Sequence, residues 1–151
     1  MPLHARQSII LAAKAALTGL PTTEDRVHEG RADPQAADAT PFLLVYARPE
    51  ASAPATMKGP ERKLQRELVL AVEGVTAEAG DDSGDALLNT IALEVETALA
   101  GNPTLGGACR DLYLARTDPN ARAEGEHRTG RIRLEFTVLY FTAANAPHAS
   151  L

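Results

Sequence analysis

The sequence predicts an α+β fold, a largely antiparallel mixed sheet with two amphipathic helices packed on one of its faces. Three observations carry that prediction. Two stretches space their apolar residues at the helical period, several others alternate with period two or form short apolar β-branched runs, and the order is helix, strands, helix, strands. That order favours hairpin-like pairing over the regular strand–helix alternation of a parallel sheet. With 151 residues and an apolar fraction of 44%, the chain is expected to form one domain over residues 1–151.

The first element is a helix from Leu3 to about Thr18, rich in alanine and free of Gly and Pro, with Ile9, Ala13, Ala16, Leu17 and Leu20 on one stripe. Gly19 and Pro21 close it, and a polar turn leads to a weakly alternating short strand over Arg26–Arg31. Residues 32–40 read as loop. Pro41 to Arg48 form a compact apolar strand that Pro49 is expected to end, and residues 49–61, built from Ala, Ser, Pro and Gly, read as a mobile loop. From Leu64 to Val75, Arg66, Leu68, Leu70 and Val72 alternate with Glu67, Val69, Ala71 and Glu73, which marks a two-sided strand.

The clearest stretch is Asp81 to Gly107. Leu87, Leu88, Ile91, Val95, Ala98 and Leu99 fall along one helical stripe, opposite Asn89, Thr90, Glu94 and Glu96. Asp81, Asp82 and Ser83 suit its N-terminus, where each negative charge is worth about 0.3–1 kcal/mol against the helix dipole. Gly101 is expected to end it in a left-handed conformation, with Pro103 barring continuation. A strand starting near Cys109, a charged loop over 117–129 and the strongest strand of the chain, Arg131–Thr142, then make a long hairpin. The tail, 143–151, is expected to fray.

No apolar run is long enough to span a bilayer, and Lys14 interrupts the only N-terminal segment that could resemble a signal peptide, so no membrane association is expected. A net charge of −5 argues against general nucleic-acid binding, and no sequence-specific nucleic-acid partner is expected. The charges are segregated. Five basic residues stand against two acids between Arg48 and Arg66, whereas Glu67 to Ala100 holds eight acids and no Lys or Arg. Such segregation is either a solvated surface or part of a subunit or tube contact, with Arg48, Lys58, Arg62 and Lys63 meeting acids such as Asp81, Asp82, Glu94 or Glu96 on a neighbour or on a tube.

Chemistry is hard to find. His4, His28, His127 and His148 have no metal-ligand spacing, and the Asp81, Asp82 and Asp85 cluster lacks the alternation and terminal glutamate of a calcium loop. Lys58-Gly59-Pro60 and Leu105-Gly106-Gly107 lack a phosphate-binding signature, the Gly-Gly pair reading as a turn. The single Cys109 excludes an internal disulfide and reads as a small buried residue. No catalytic, metal or cofactor residue is assigned.

A resemblance supplies a function. The N-terminal helix running into Leu17-Thr18-Gly19-Leu20-Pro21-Thr22-Thr23-Glu24-Asp25-Arg26-Val27, the strand opening Arg66-Glu67-Leu68-Val69-Leu70-Ala71-Val72, the helix from Asp85 to Leu99, the turn Thr104-Leu105-Gly106-Gly107 and the strand ending Phe136-Thr137-Val138-Leu139-Tyr140 follow one another in an order that resembles the tail terminator proteins of long-tailed bacteriophages. These are minor tail components that cap a finished tail tube and join it to the head. The resemblance spans most of the chain and rests on order rather than on a catalytic signature. It implies a non-enzymatic structural virion protein without cofactor, a homo-oligomer in the form of a hexameric ring, and two partners, the tail tube protein and a head-completion or neck protein. It implies a place at the head-tail junction of the virion tail, reached from the host cytoplasm, and loops that become ordered on assembly. Another neck or tail-completion position, or a small ligand-binding or enzymatic domain, are the alternatives.

Overall fold

The computed structural model describes residues 2–30, 40–77, 82–119 and 130–151, with the backbone alone at 82–84. Its elements run α1 (Ala5–Leu17), β1 (Val27–Glu29), β2 (Phe42–Pro54), β3 (Lys63–Thr76), α2 (Asp82–Ala100), β4 (Asp111–Asp118) and β5 (Gly130–Ala143), with one 3-10 turn at Leu105–Gly107. They build a five-stranded sheet in the order β1-β2-β3-β5-β4. The short β1 is parallel to β2, and the other neighbouring pairs are antiparallel. The fold is α+β, as the sequence predicts.

Helix α1 starts where the His4 imidazole takes up a first-turn donor: Arg6 N–H donates to His4 Nδ1 at 3.0 Å. It stops at Thr18, which is extended and whose hydroxyl donates to the Lys14 carbonyl at 2.7 Å. Gly19 then turns the chain at a φ of 91°, its N–H donating to the Glu24 carbonyl at 2.7 Å. Helix α2 ends differently from the expectation. Gly101 is not left-handed and still donates a helical bond to the Thr97 carbonyl at 3.1 Å. The stop therefore falls to Pro103, which has no N–H to continue with. Left-handed backbone appears instead at Gly106 and Gly107, with φ of 70° and 97° in the turn that leads to β4.

The two helices share a core with one face of the sheet. Ile9, Ala13 and Leu17 of α1 and Leu88, Ile91, Val95 and Leu99 of α2 are buried against Leu43, Val45, Leu68, Leu70, Val72, Ile132, Leu134, Phe136 and Val138. Strand register explains the set, because Val45, Val72 and Leu134 lie on one rung and Ala47, Leu70 and Phe136 on another. Helix α2 approaches the sheet closely at Gly74, where an added Cβ would lie 2.8 Å from Ile91 Cγ2 and 3.3 Å from Ile132 Cγ2. The missing side chain is what admits the helix. The opposite sheet face carries a second buried cluster, Phe42, Leu44, Tyr46, Ala71 and Val75.

Two expectations are corrected. Strand β2 does not end at Pro49 but runs to Pro54, and β3 pairs with it from Pro54↔Leu64 inward, so much of 49–61 is sheet. The segment 143–151, expected to fray, carries backbone hydrogen bonds to the rest of the fold: Ala5 N–H donates to the Pro147 carbonyl at 2.8 Å and Leu151 N–H to the Phe141 carbonyl at 2.8 Å. Of the 117–129 loop, Thr117 and Asp118 belong to β4, and residues 120–129 lie outside the described residues.

Candidate functional site

The inner half of the sheet is covered by helices, whereas beyond Arg48 the strands β2 and β3 continue as an arm, and a bulge sets its geometry. The β2–β3 register shifts between Ala47 and Glu50, where Arg48 and Pro49 stand against the single residue Val69. Before the shift, odd residues of β2 face the helices; after it Glu50 sits opposite Leu68, on the helix side. Proline fits this position because the bulge interrupts the ladder that would otherwise need its N–H.

Glu50 thereby reaches a cluster at the root of the arm. It accepts from Arg6 Nη2 at 2.8 Å, from Arg66 Nη1 at 3.3 Å and from the Tyr140 hydroxyl in a short hydrogen bond, while Arg66 Nε donates to Thr142 Oγ1 at 3.0 Å. The side chains of Glu50 and Arg66 are 9% and 10% exposed. Burial alone would raise the Glu50 pKa, but the hydrogen bonds from Arg6 and Tyr140 and the charges of Arg6 and Arg66 outweigh it and hold the carboxyl below its ordinary range. Tyr140 is pushed the other way, first by burial and then by the adjacent carboxylate. A buried ion pair gives little net stability over an apolar pair, yet deleting one member strands the other. The cluster therefore fixes the arm's root to α1 and β5.

Outward of this root every residue from Ala51 to Glu61 is exposed. The arm keeps its shape through the backbone. Strand β5 pairs with β3 all the way to Lys63↔Ala143, Lys63 N–H donates to Thr56 Oγ1 at 2.8 Å, and the following chain braces the tip, Ala144 N–H donating to the Arg62 carbonyl at 2.8 Å and Asn145 N–H to the Pro60 carbonyl at 3.0 Å. At the apex Met57 is 87% exposed. Among the described residues, Lys58, Arg62 and Lys63 form no ion pair.

The residues singled out by charge are thus placed unequally. Lys58, Arg62 and Lys63 come together at the tip. Arg48 is turned to its own chain, with Nε 3.0 Å from Glu135 Oε2, on the sheet face away from the helices. Glu94 and Glu96 lie on the outer side of α2, half-buried. Glu94 receives Thr22 N–H at 2.9 Å and Thr22 Oγ1 at 2.6 Å, so both its donors are uncharged. Asp81 and the side chain of Asp82 lie outside the described residues. Beside Glu94 the surface dips into a hollow of ≈ 270 Å³ lined by Leu20, Pro21, Leu93, Glu94, Thr97 and Ala98, with Leu93 66% exposed. The sequence reading missed the Glu50 cluster, although Arg66 gave a signal: it lies in phase with Leu68, Leu70 and Val72, where a charge demands a buried partner.

Among the described residues no group of three or more His, Cys, Asp or Glu side chains could hold a metal ion. Cys109 is buried, its Sγ 3.5 Å from the Pro103 carbonyl, and burial with the nearby Asp111 charge pushes its thiol up to about 11. At neutral pH it is a protonated packing group. His4 caps α1, and burial together with the Arg6 and Arg66 charges lowers its pKa, which suits an acceptor nitrogen. No helix of the described residues is long and apolar enough to cross a membrane.

No protein-family model and no curated protein matches the chain. Among solved structures, one chain described as "Virion of native gene transfer agent (GTA) particle" is similar, with a TM-score of 0.49 and 23% sequence identity over 91% of this chain and 93% of that one.

Proposed function

We propose that this chain is a non-enzymatic structural protein of a phage-like virion that assembles into a hexameric ring on the end of a tail tube, ends tube polymerisation and presents its other side to head-completion or neck proteins. The order of motifs that resembles the tail terminators supports the setting. The observation that carries the assembly reading is the braced arm itself: a sheet extension exposed from Ala51 to Glu61 that ends in three cations which, among the described residues, form no ion pair. An exposed strand pair held so firmly is a contact element rather than a linker. Its counterpart is α2, which has four acids and no Lys or Arg. Two complementary surfaces on different elements of one chain make a head-to-tail contact, which closes into a ring when the rotation allows.

In this reading Lys58, Arg62 and Lys63 are the basic side of the contact and Glu94 and Glu96 the acidic side, joined by Asp81 and Asp82. Arg48 contributes by holding the bulge through Glu135 rather than by crossing to a neighbour.

The experiment is to add the purified protein to polymerising tail tube protein and image the products, with light scattering of the protein alone over a concentration series. Capped tubes of limited length and an oligomer whose formation weakens with salt are expected, since screening shortens from about 10 Å at 0.1 M as salt rises. A strictly monomeric protein that leaves tubes uncapped contradicts the proposal. Binding to head-completion proteins without any tube binding moves the chain to another neck position.

A further inference from the structure

We infer that the contact between neighbouring copies is a knob and hole: Met57 at the arm tip of one copy seats in the hollow formed by Leu20, Pro21, Leu93 and Ala98 of the next, with Lys58 and Lys63 set against Glu94 and Glu96. The inference rests on the ring reading above and names its apolar centre, which charge alone does not supply.

Among the described residues Met57 is the most exposed of the large apolar side chains, at 87%, and Leu93 follows at 66%. One stands at the apex of a braced arm and the other on a helix whose charged residues are all acids. The hollow beside Leu93, ≈ 270 Å³, is an open depression lined almost wholly by apolar groups, with room for a protruding side chain. Methionine, unbranched and polarizable, adapts to such a hollow better than a β-branched residue would.

Charge selects a second copy as the occupant. Around Met57 stand Lys58, Arg62 and Lys63 against the single acid Glu61, whereas the helix that carries Leu93 has only acids. The Glu94 carboxylate is held at the rim of the hollow by Thr22 N–H and hydroxyl, neither of which cancels its charge. Glu96 lies one helical turn from Leu93. The apolar centre with a charged rim is the anatomy of a specific interface. Knob and hole are different surfaces, so the contact is heterologous and each copy offers one free knob and one free hole until the ring closes.

The test is a double variant, Met57→Cys with Leu93→Cys, oxidised mildly and run on a non-reducing denaturing gel. Both sites are exposed and tolerate cysteine, and the buried Cys109, with its thiol raised to about 11, stays out of the reaction. A ladder extending past the dimer is expected, with at most dimers from either single variant. Met57→Asp should weaken association by at least about thirtyfold, the size of an interface hot spot, without changing the circular dichroism spectrum. Lys58→Glu with Lys63→Glu should weaken it too, and adding Glu96→Lys should recover part of the loss. If the double variant gives no ladder, or Met57→Asp associates like the wild type, while the wild type still oligomerises and caps tubes, the knob and hole is overturned and the ring reading stands. A wild type that stays monomeric and caps nothing overturns both.

Discussion

Strand β3 passes through two environments. From Leu68 to Thr76 all but Val69 are buried, between the helices on one side and the Phe42, Leu44, Tyr46 cluster on the other; from Lys63 to Glu67 only Arg66 is buried. The inner half is held by apolar area removed from water. The outer half has little such area, and its shape comes from ladder hydrogen bonds and one buried ionic cluster at the root. Substitutions should therefore separate the two halves: changes at the root and inner half act on stability, changes at the tip act on assembly.

The largest effect is expected at the root. Glu50→Ala leaves Arg66 and the Tyr140 hydroxyl buried without their acceptor and should cost about 3–5 kcal/mol in chemical denaturation. Glu50→Gln, which keeps hydrogen-bonding capacity, should cost less; equal losses would show that the charge is immaterial. The same group makes the fold acid-labile. Its folded pKa lies below the unfolded value of about 4.3, so its contribution is complete above that value and is lost as pH falls through the lower, folded one. His4, also depressed, adds to this on a higher range, its share present above about 6.5 and lost below. Stability measured from pH 7 to pH 3 should decline in both ranges, and Glu50→Gln should flatten the lower one. An unchanged lower slope in that variant would contradict the role given to Glu50.

Next comes the inner half. Gly74→Ala puts a methyl 2.8 Å from the buried Ile91 Cγ2, a stiff β-branched group, and should cost about 1–3 kcal/mol by overpacking. Stability at or above the wild-type level would mean that α2 shifts freely on the sheet. The smallest effect on stability, within about 0.5 kcal/mol, is expected for Lys58→Glu with Lys63→Glu, both at exposed positions with no ion pair among the described residues. That variant should melt like the wild type and fail in assembly; a large stability loss would join tip and core into one unit and end the comparison.

The same contrast decides what was legible in the sequence. Apolar periodicity records burial, so α1, α2, the inner β3 and β5 were readable from Ile9, Leu88, Leu70 and Phe136 and their spaced neighbours. The arm buries almost nothing, and Ala51, Ser52, Ala53 and Pro54 carry no alternation, so a strand made by backbone pairing had the composition of a loop. Pro49 pointed to an interruption and is one, a bulge rather than an end. The tail was illegible for the same reason, since Ala144, Asn145 and Leu151 are tied through backbone groups that any residue has. The site was half readable: charge counting found Lys58, Lys63 and Glu94, but could not show that Arg48 is spoken for by Glu135 or that Met57 and Leu93 stand exposed beside them.

The most direct test of the account is electron microscopy of tail tubes polymerised with the wild type and with Lys58→Glu, Lys63→Glu. The wild type should give tubes of limited length with a ring at one end, and the folded variant tubes of unrestricted length with bare ends. Equal capping by both, or by neither, contradicts the claim that the arm tip is the assembly surface.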